Sequence, residues 1–480
     1  MKLALVYVNR NVFPRDVAPL GLCFIASYLR KYGNFTDVVI LDQNVENIYD
    51  SIKKCKPDIV GVSSATQNFQ EARRFIDFVN REMGVPIIVG GVHISIMPSS
   101  LPKNASIGVI GEGEETMLEL MQIFDRDNEF KLDSLRQVKG ICYYENDVLK
   151  INEPRPLIQQ LDKIPHPDRS LLNMKYYMKK STIVPFQLGV SLHMITSRGC
   201  PYHCVYCSTH SFWKIYREFS ADWVMEEMHI ILENYGKVEI IHLYDDLFLA
   251  NKKRFFEIVD RVKKEGINKH LKFMCLGRTN LLNDEVMQGL KDMNFVCIGV
   301  GMESGSERIL NYLKANSVTV EQHRKAIAYC IKYRIVLMPS FMIGSPGETE
   351  DDLKQTLSLI AENRRNVYFI PSTYVTTPLP ATPLWDEAVR RGLVSENTDW
   401  EALCLDLPET IEQLKTYPLM IDMDVEKFFG YVRMFAEEGE AQLFKNYKIN
   451  LSPRRIKLAI TKPRKAMHFM VEIVKNKLGS

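Results

Sequence analysis

The sequence predicts an α/β protein with two successive strand–helix series and a helical C-terminal region. Short apolar segments recur along both series, and stretches with helical periodicity separate them. Parallel strands joined by crossover helices produce this pattern. A length of 480 residues is sufficient for two or three domains. We therefore expect a doubly wound, Rossmann-like or flavodoxin-like parallel sheet, followed by an open or partial barrel of six strand–helix units.

The first series covers residues 1–130. Its predicted strands are 3–8, 38–41, 58–62, 86–89 and 107–110, and helices 19–31 and 114–124 lie beside them. Ligands of a doubly wound sheet bind at the carboxyl ends of its strands. The loops after the third, fourth and fifth strands contain serine and glycine, so we expect a binding edge there. Taken one at a time, each loop is equally well explained as a tight turn.

The second series covers residues 188–385. Its predicted strands are 192–196, 238–243, 272–276, 296–301, 336–343 and 367–370. Residues 131–187 form the predicted linker, with a small hairpin at 141–151 and several prolines. Residues 386–480 are expected to be helical and to end in a basic tail. In a partial barrel the chemistry belongs at the carboxyl ends of the strands.

The composition argues against several classes of partner. The formal net charge is +2, which provides no overall field for binding nucleic acid. No apolar run approaches the ~20 residues of a membrane span, and no signal-peptide pattern follows Met1. Seven of the ten cysteines are scattered, mostly within apolar segments, as is typical of buried thiols in a reducing compartment. We therefore expect a cytoplasmic protein.

The remaining three cysteines form a compact motif. Cys200, Cys204 and Cys207 have C-x3-C-x2-C spacing and follow the first predicted barrel strand. Thiolates are the ligands of iron–sulfur clusters, and three ligands for four irons leave one iron open to a substrate or cofactor. The alternatives are a zinc site completed by His203 or His210, and three unligated thiols. The cluster is favoured because zinc ligands usually come as two separated C-x2-C pairs.

With Tyr206 before its last cysteine, the motif resembles that of the radical S-adenosylmethionine (SAM) superfamily. The resemblance implies a partial (β/α)6 barrel and a [4Fe–4S] cluster held by the three cysteines. It also implies that the open iron binds the amino and carboxylate groups of SAM. One electron, from a reducing partner such as flavodoxin or ferredoxin, then cleaves SAM to a 5′-deoxyadenosyl radical.

The same resemblance implies SAM contacts at the ends of the barrel strands. The implied contacts are Tyr206, Asp245, Asp246, Arg278, Glu303, Ser304, Gly344 and Pro346. Acidic residues at such positions also serve as caps of the following helix. That alternative stays open for the two aspartates and for Glu303.

A doubly wound domain ahead of such a barrel resembles the cobalamin-binding radical SAM subfamily. The matching stretches lie at 19–22, 57–61, 89–93, 111–114 and 378–384. The implied cobalamin contacts are Leu20, Ser63, Ser64, Thr66, Gly90, Gly91, His93, Gly111, Glu112 and Gly113. The D-x-H-x-x-G motif that supplies a cobalt ligand in many cobalamin proteins is absent. We therefore expect His93 to line a loop rather than to bind cobalt, and a domain that has lost cobalamin is the alternative.

These cofactors predict an enzyme that methylates an unactivated carbon, with methylcobalamin as the methyl donor and a second SAM to restore it. Radical rearrangement, oxidation or cyclisation without methyl transfer is the first alternative. A non-enzymatic cobalamin or redox sensor is the second. No catalytic residue is assigned beyond the residues that hold the cofactors.

The substrate is expected to be a small or lipid-like molecule, and nucleic acid is not expected as a partner. The methionines and aromatic residues between 420 and 435 either line an apolar site or form a packed helical core, which is favoured. The basic tail either rests on anionic lipid as a peripheral membrane contact or packs as a terminal helix on the barrel, which is again favoured.

Overall fold

The structure is a computed structural model, and it describes residues 1–9, 17–178 and 189–445. The predicted lipid-contacting stretch at 466–478 lies outside the described residues. Within the ranges that are described, no helix combines the length and the apolar character that crossing a membrane requires.

The front sheet consists of β1 (Leu3–Tyr7), β2 (Val38–Asp42), β3 (Ile59–Ser63), β4 (Ile87–Gly90), β5 (Ile107–Val109), β6 (Ile141–Glu145) and β7 (Val148–Ile151). Its strand order is β2-β1-β3-β4-β5-β6-β7. The first five strands are parallel, as predicted, while β6 and β7 pair in antiparallel fashion at one edge. The hairpin predicted within the linker therefore extends this sheet. The order reverses between β1 and β3, which is where flavodoxin-like sheets bind their ligands.

Helices cover both faces of the front sheet. They are α1 (Leu20–Gly33), α2 (Ile48–Cys55), α3 (Phe69–Met83), α4 (Val92–Ile96), α5 (Gly113–Asp127) and α6 (Leu132–Leu135). Alternate residues of β1 point to opposite faces, as the period of a strand dictates. Leu3 and Leu5 join the core formed with α1 and α5, whereas Ala4 and Val6 join the core formed with α2 and α3. Burial on both faces explains why the strands are continuously apolar.

The second part of the chain forms a partial barrel. Its strands are β8 (Ser191–Met194), β9 (Ser197–Arg198), β10 (Arg217–Glu218), β11 (Ile240–Leu243), β12 (Lys272–Gly277), β13 (Phe295–Glu303), β14 (Val336–Ile343) and β15 (Ser372–Val375). Its helices are α7 (Met174–Tyr177), α8 (Thr209–Trp213), α9 (Ala221–Asn234), α10 (Lys252–Lys264), α11 (Asp284–Asp292), α12 (Glu307–Leu313), α13 (Val320–Tyr333), α14 (Glu350–Glu362), α15 (Pro383–Arg390), α16 (Ile411–Leu414) and α17 (Val425–Lys445). Six strands pair in the order β8-β11-β12-β13-β14-β15, all of them parallel. All their carboxyl ends therefore lie at one rim.

The sixth barrel strand is displaced from its predicted position. The apolar stretch 367–370 makes only an isolated bridge, between Phe369 and Leu337. Pro371 follows and has no N–H to donate to a ladder. Regular pairing resumes beyond it, where the more polar segment β15 pairs with the end of β14. The apolar pattern at 367–370 reflects burial of this bridge rather than a full strand.

The cysteine motif lies within a small hairpin that the sequence analysis did not predict. The two-residue strands β9 and β10 pair in antiparallel fashion, so the motif lies in the loop between them. Arg198 on β9 forms ion pairs with Glu112 and Glu114, both at 2.5 Å. Arg217 on β10 pairs with the other oxygen of Glu112 at 2.8 Å. All four side chains are buried, so the base of the loop is bonded to the end of the front sheet.

The C-terminal segment packs against both sheets. Trp385 and Trp400 stack on each other, 5.9 Å apart, within the core that covers one face of the front sheet. Phe428 and Phe435 of α17 are buried in the barrel core, whereas Met434 is 48% exposed. The structure thus favours the packed helical core over an apolar site for residues 420–435.

We expect the Glu112→Ala substitution to destabilise the protein by about 3–5 kcal/mol, because Arg198 and Arg217 would remain buried without a shared anion. Urea denaturation followed by fluorescence measures the change. Glu115→Ala is the matched control, because Glu115 lies three residues further along, on α5, and the one ion pair that the described residues give it, with Arg155, is long at 3.9 Å; a change within about 0.5 kcal/mol is expected there. Equal midpoints for the two variants would contradict a buried ionic link between the sheets.

Candidate active site

The three motif cysteines surround one cavity at the carboxyl rim of the barrel. The cavity has a volume of about 490 Å³, and Cys200, Cys204 and Cys207 all line it. Gly199 begins the loop with a φ of +87°, and a Cβ there would lie 2.5 Å from the carbonyl oxygen of Ile215. A glycine is therefore needed for the turn that brings the first cysteine to the cavity.

The donor set of this loop fits an iron–sulfur cluster better than a zinc ion. Among the described residues, no three His, Cys, Asp or Glu side chains converge so as to hold one metal ion. Zinc requires such convergence, whereas a [4Fe–4S] cluster takes each thiolate on a separate iron. The three thiols are free and share the cavity. Their chemistry and arrangement around the cavity therefore fit the cluster.

Tyr206 belongs to a buried triad in the cavity wall. Its hydroxyl donates to Oε1 of Glu303 at 2.6 Å and accepts from Nζ of Lys314 at 2.8 Å. Lys314 also donates to the same carboxylate oxygen at 2.8 Å. Glu303 ends β13 with a φ of +62°, a conformation that residues other than glycine seldom adopt. The ion pair and the tyrosine hold Glu303 in this conformation at the cavity.

Arg278 follows β12 and turns toward the cysteine loop. Its Nη1 donates to Sγ of Cys204 at 3.2 Å, and its guanidinium lies 3.9 Å from the centre of the Tyr202 ring. Its Nη2 donates to the hydroxyl of Ser317. The sequence analysis predicts a SAM contact at this position, whereas the structure directs the guanidinium to a predicted cluster ligand.

The two aspartates after β11 have different environments. Asp245 is buried, and its carboxylate accepts from the backbone N–H and the hydroxyl of Thr196, both at 2.5 Å. Burial raises the pKa of Asp245 above its usual value. The side chain of Asp245 thus joins β11 to the end of β8, and its contact with SAM remains a prediction. Asp246 does line the cavity, where it accepts from the N–H of Gly199 and the hydroxyl of Thr209.

Three further predicted SAM contacts lie outside the cavity lining. Ser304 is fully buried, with its hydroxyl 3.2 Å from that of Thr356. Gly344 donates its N–H to Glu348 at 2.6 Å, and a Cβ there would lie 2.8 Å from the ring of Phe428. Pro346 is half-buried in the same turn. Phe428 of α17 thus packs over the end of β14, and the SAM contacts at these three positions remain predictions.

The carboxyl edge of the front sheet is lined by glycine. Gly90, Gly91, Gly111 and Gly113 are all partly exposed there. A Cβ on Gly111 would meet nothing within 4 Å, and one on Gly90 would meet only Val109. Gly90 and Gly111 therefore leave space at the edge, whereas a Cβ on Gly91 would lie 2.5 Å from the carbonyl oxygen of Ser64. Ser63 lies at the same edge and is half-buried.

The remaining predicted cobalamin contacts are buried within the protein. Leu20 belongs to the core beneath α1, and Ser64 is 3% exposed. Glu112 uses its carboxylate for the arginines of the cysteine hairpin and for the N–H of Ile158 at 2.8 Å. Packing or ion pairing occupies these side chains, and their contacts with cobalamin remain predictions.

His93 is fully buried and neutral at ordinary pH. Its ring lies 3.9 Å from that of Phe69 and 4.7 Å from that of Trp400, measured between ring centres. Its Nδ1 lies 3.3 Å from the hydroxyl of Thr66, which is also buried. Burial lowers the pKa of His93 to about 3. His93 and Thr66 thus lie beneath the loop, and their relation to cobalamin and to cobalt remains a prediction.

The carboxyl ends of the two sheets approach each other. Burial, Asp42 and Tyr244 together raise the pKa of Tyr7, the last residue of β1. Gly111 and Glu112 of the front sheet line one cavity together with Ser211, Phe212 and Lys214 of the cysteine loop. The glycine edge of the front sheet therefore adjoins the loop that carries the cysteines.

Sequence reasoning missed Lys314, Arg198 and Arg217. Lys314 lies between α12 and α13 and carries no motif of its own, so only the folded barrel brings it to Tyr206. The two arginines flank the cysteine motif, and Arg198 lies two residues before Cys200. The basic residues at both ends of the loop were the signal that could have indicated an ion-paired base. Their acidic partners could not be identified from local sequence, because they lie far away in the chain.

We expect the Lys314→Met substitution to destabilise the protein by about 3–5 kcal/mol, because Glu303 would stay buried without its cation. The free energy of unfolding in urea is the measurement. Lys325→Met serves as the control, since that lysine is 63% exposed and its ion pair is long at 3.8 Å. An unfolding free energy equal to that of the control would show that Glu303 does not depend on Lys314.

Comparisons with known proteins agree with this arrangement. The model of the radical SAM superfamily matches residues 194–360, and that of the B12 binding domain matches residues 7–121. An uncharacterized methyltransferase of Pyrococcus horikoshii is 34% identical over 386 residues, which are 78% of this chain and 79% of that protein. An anaerobic magnesium-protoporphyrin IX monomethyl ester cyclase of Rubrivivax gelatinosus is 27% identical over 409 residues, with 81% of this chain and 70% of that protein covered.

A solved structure supports the fold over nearly the whole chain. The cobalamin-dependent SAM radical enzyme OxsB, with aqua-cobalamin bound, superposes with a TM-score of 0.68 at 20% identity, covering 97% of this chain and 76% of that one. The predicted fold class is thereby confirmed. The two family matches and the methyltransferase relative confirm an enzyme with a [4Fe–4S] cluster, SAM and cobalamin, so neither the non-enzymatic sensor nor the domain without cobalamin is supported. The chain belongs to the cobalamin-binding radical SAM enzymes, which use a [4Fe–4S] cluster, SAM and cobalamin.

Proposed function

We propose that this protein is a radical SAM methyltransferase that methylates an unactivated carbon of a small or lipid-like molecule. The observation that carries the proposal is the approach of the glycine edge of the front sheet to the cysteine cavity of the barrel. Cys200, Cys204 and Cys207 hold the cluster in this proposal, and the glycine edge holds cobalamin. When bound, these groups and SAM supply a 5′-deoxyadenosyl radical and a methyl group. The methyltransferase from Pyrococcus horikoshii supports the same reaction class.

The positions of the charged side chains around the cavity indicate where SAM binds. The charged side chains among its described lining residues, apart from the cysteines, are Asp246, Arg278, Glu303 and Lys314. Each of them contacts the segment 199–209 that contains the cysteines. Polar SAM therefore binds at this end, with Asp246 and the Tyr206 triad in its wall.

The other lining residues that the structure describes are mostly uncharged. They include Met274, Leu276, Val300, Met338, Ser340, Ser372 and Tyr374, together with His242 of β11. Methionine and branched aliphatic side chains accept hydrocarbon and exclude water. We infer that the reacting part of the substrate is apolar, which suits removal of hydrogen from an unactivated carbon. The hydroxyl groups on β14 and β15 are available to orient a polar substituent.

Radical cyclisation is the second candidate function. The protein from Rubrivivax gelatinosus that shares 27% identity is a cyclase, and it covers a similar share of the chain. The same cavity suits both reactions, because each begins with a radical on an apolar carbon. The fate of the methyl group separates them.

Two inferences about the surroundings accompany the proposal. All ten cysteines are free, which suits a reducing compartment such as the cytoplasm. The reaction also requires a one-electron donor of low potential, of the flavodoxin or ferredoxin class.

The first test measures both SAM-derived products. Reduced, reconstituted enzyme incubated with SAM and hydroxocobalamin should form 5′-deoxyadenosine and S-adenosylhomocysteine, quantified by mass spectrometry. Cys204→Ala should abolish 5′-deoxyadenosine, because the cluster loses a ligand. Cys55→Ala, on α2 in the front domain, should leave both products unchanged. Persistent absence of S-adenosylhomocysteine from the wild type would reject methyl transfer and favour cyclisation.

The second test concerns His93. We expect it to provide no ligand to cobalt, because it is enclosed by Phe69 and Trp400. The EPR spectrum of cob(II)alamin in the enzyme should therefore be identical whether the protein histidines carry ¹⁴N or ¹⁵N. Isotope labelling distinguishes protein histidine from the nitrogen of cobalamin itself. A change in the nitrogen hyperfine pattern on labelling would establish a histidine ligand.

A further inference from the structure

We propose that Arg278 raises the reduction potential of the iron–sulfur cluster through a charge-assisted hydrogen bond to Cys204. The inference rests on the proposed function, in which Cys204 is a cluster ligand. Its basis is the 3.2 Å contact between Nη1 of Arg278 and Sγ of Cys204. Arg278 is a positioning and tuning residue in this proposal, and its effect is separate from any contact with SAM.

Arg278 differs from Lys314 in the partner that balances its positive charge. Lys314 has Glu303 as a buried carboxylate partner. Arg278 is 5% exposed, and the described residues offer it no carboxylate within ion-pair distance. A buried cation requires a nearby anion, because its desolvation is otherwise costly. The thiolate of Cys204 is the anion that this arrangement provides.

The guanidinium is fixed in its orientation. The centre of the Tyr202 ring lies 3.9 Å from the guanidinium carbon, and Ser317 accepts a hydrogen bond from Nη2. The hydroxyl of Ser317 in turn donates to the backbone carbonyl of Lys314. The cation–π contact and the hydrogen bonds therefore orient Nη1 toward the sulfur without help from a ligand. The Nε group is buried and has no partner among the described residues.

The direction of the effect follows from charge. Reduction adds one electron, taken from a low-potential one-electron donor, and so adds one negative charge to the cluster and its thiolates. A cation hydrogen-bonded to a ligand sulfur stabilises that added charge, and hydrogen bonds to sulfur are among the factors that set cluster potentials. Burial strengthens the interaction, because little water screens it. Arg278 therefore makes the cluster easier to reduce.

The test is an EPR-monitored redox titration of the full-length, anaerobically reconstituted enzyme without SAM. We expect Arg278→Gln to reduce the equilibrium constant for reduction about tenfold, which corresponds to about 59 mV for a one-electron couple. Arg278→Lys should recover part of this shift, because it restores the charge without the planar fork. Arg261→Gln is the matched control, because it removes the same charge from an exposed ion pair on α10. Its potential should equal that of the wild type.

Control measurements distinguish failure of this inference from failure of the proposed function. Iron content and the cluster absorption of the wild type come first, and absence of a cluster there would reject the proposed function itself. With the cluster present, an unchanged potential in Arg278→Gln would overturn the inference, and a weakened affinity for SAM in that variant would identify Arg278 as a SAM contact. If Arg278→Gln does not hold a cluster, the potential of Ser317→Ala is measured instead. Loss of the Ser317 hydrogen bond loosens the guanidinium and should also lower the potential. An unchanged potential in Ser317→Ala would then overturn the inference.

Discussion

The buried ion network of Glu112, Glu114, Arg198 and Arg217 is the constraint on which the site depends. The two arginines stand on the paired strands at the base of the cysteine loop, and the two glutamates stand at the end of β5 and the start of α5. Through four side chains the front sheet therefore determines where the cysteine loop begins and ends.

Burying four charged side chains costs free energy, and the network offsets this cost because its members make several hydrogen bonds. Glu112 accepts from both arginines and from the N–H of Ile158, and Arg217 also donates to the carbonyl of Ile158. An apolar interface of the same size would stabilise docking at least as well. It would not fix the position of one sheet relative to the other as precisely, because apolar contacts are non-directional. Directional docking matters here, since the two cofactor regions lie on different sheets.

The C-terminal segment completes the arrangement by packing on both sheets. Trp400 lies against His93 beneath the glycine edge, and Phe428 lies against Gly344 at the end of β14. Both contacts occupy loops that the sequence analysis assigned to ligands. A glycine at a strand end indicates that the backbone is approached closely, but the pattern does not identify the neighbour. At Gly344 the neighbour is a phenylalanine of the same chain, 84 residues further on.

How well the sequence predicts a feature depends on how far apart in the sequence the interacting residues lie. The alternation of strands with helices and the cysteine motif depend on local patterns, and both were predictable from residues close together. Asp245 and Asp246 are adjacent, yet one is buried against Thr196 and the other lines the cavity, because successive residues past a strand point in different directions. Lys314 meets Tyr206 from 108 residues away, and no local pattern records such a contact.

The charges around the cavity connect these observations to the chemistry. Lys314 and Glu303 cancel each other and hold Tyr206, so this part of the wall is polar but carries no net charge. Arg278 faces the thiolates without a carboxylate partner among the described residues, which leaves positive charge where reduction adds negative charge. The other described lining residues are mostly uncharged. One cavity thereby brings a cationic group beside the cysteines together with apolar side chains.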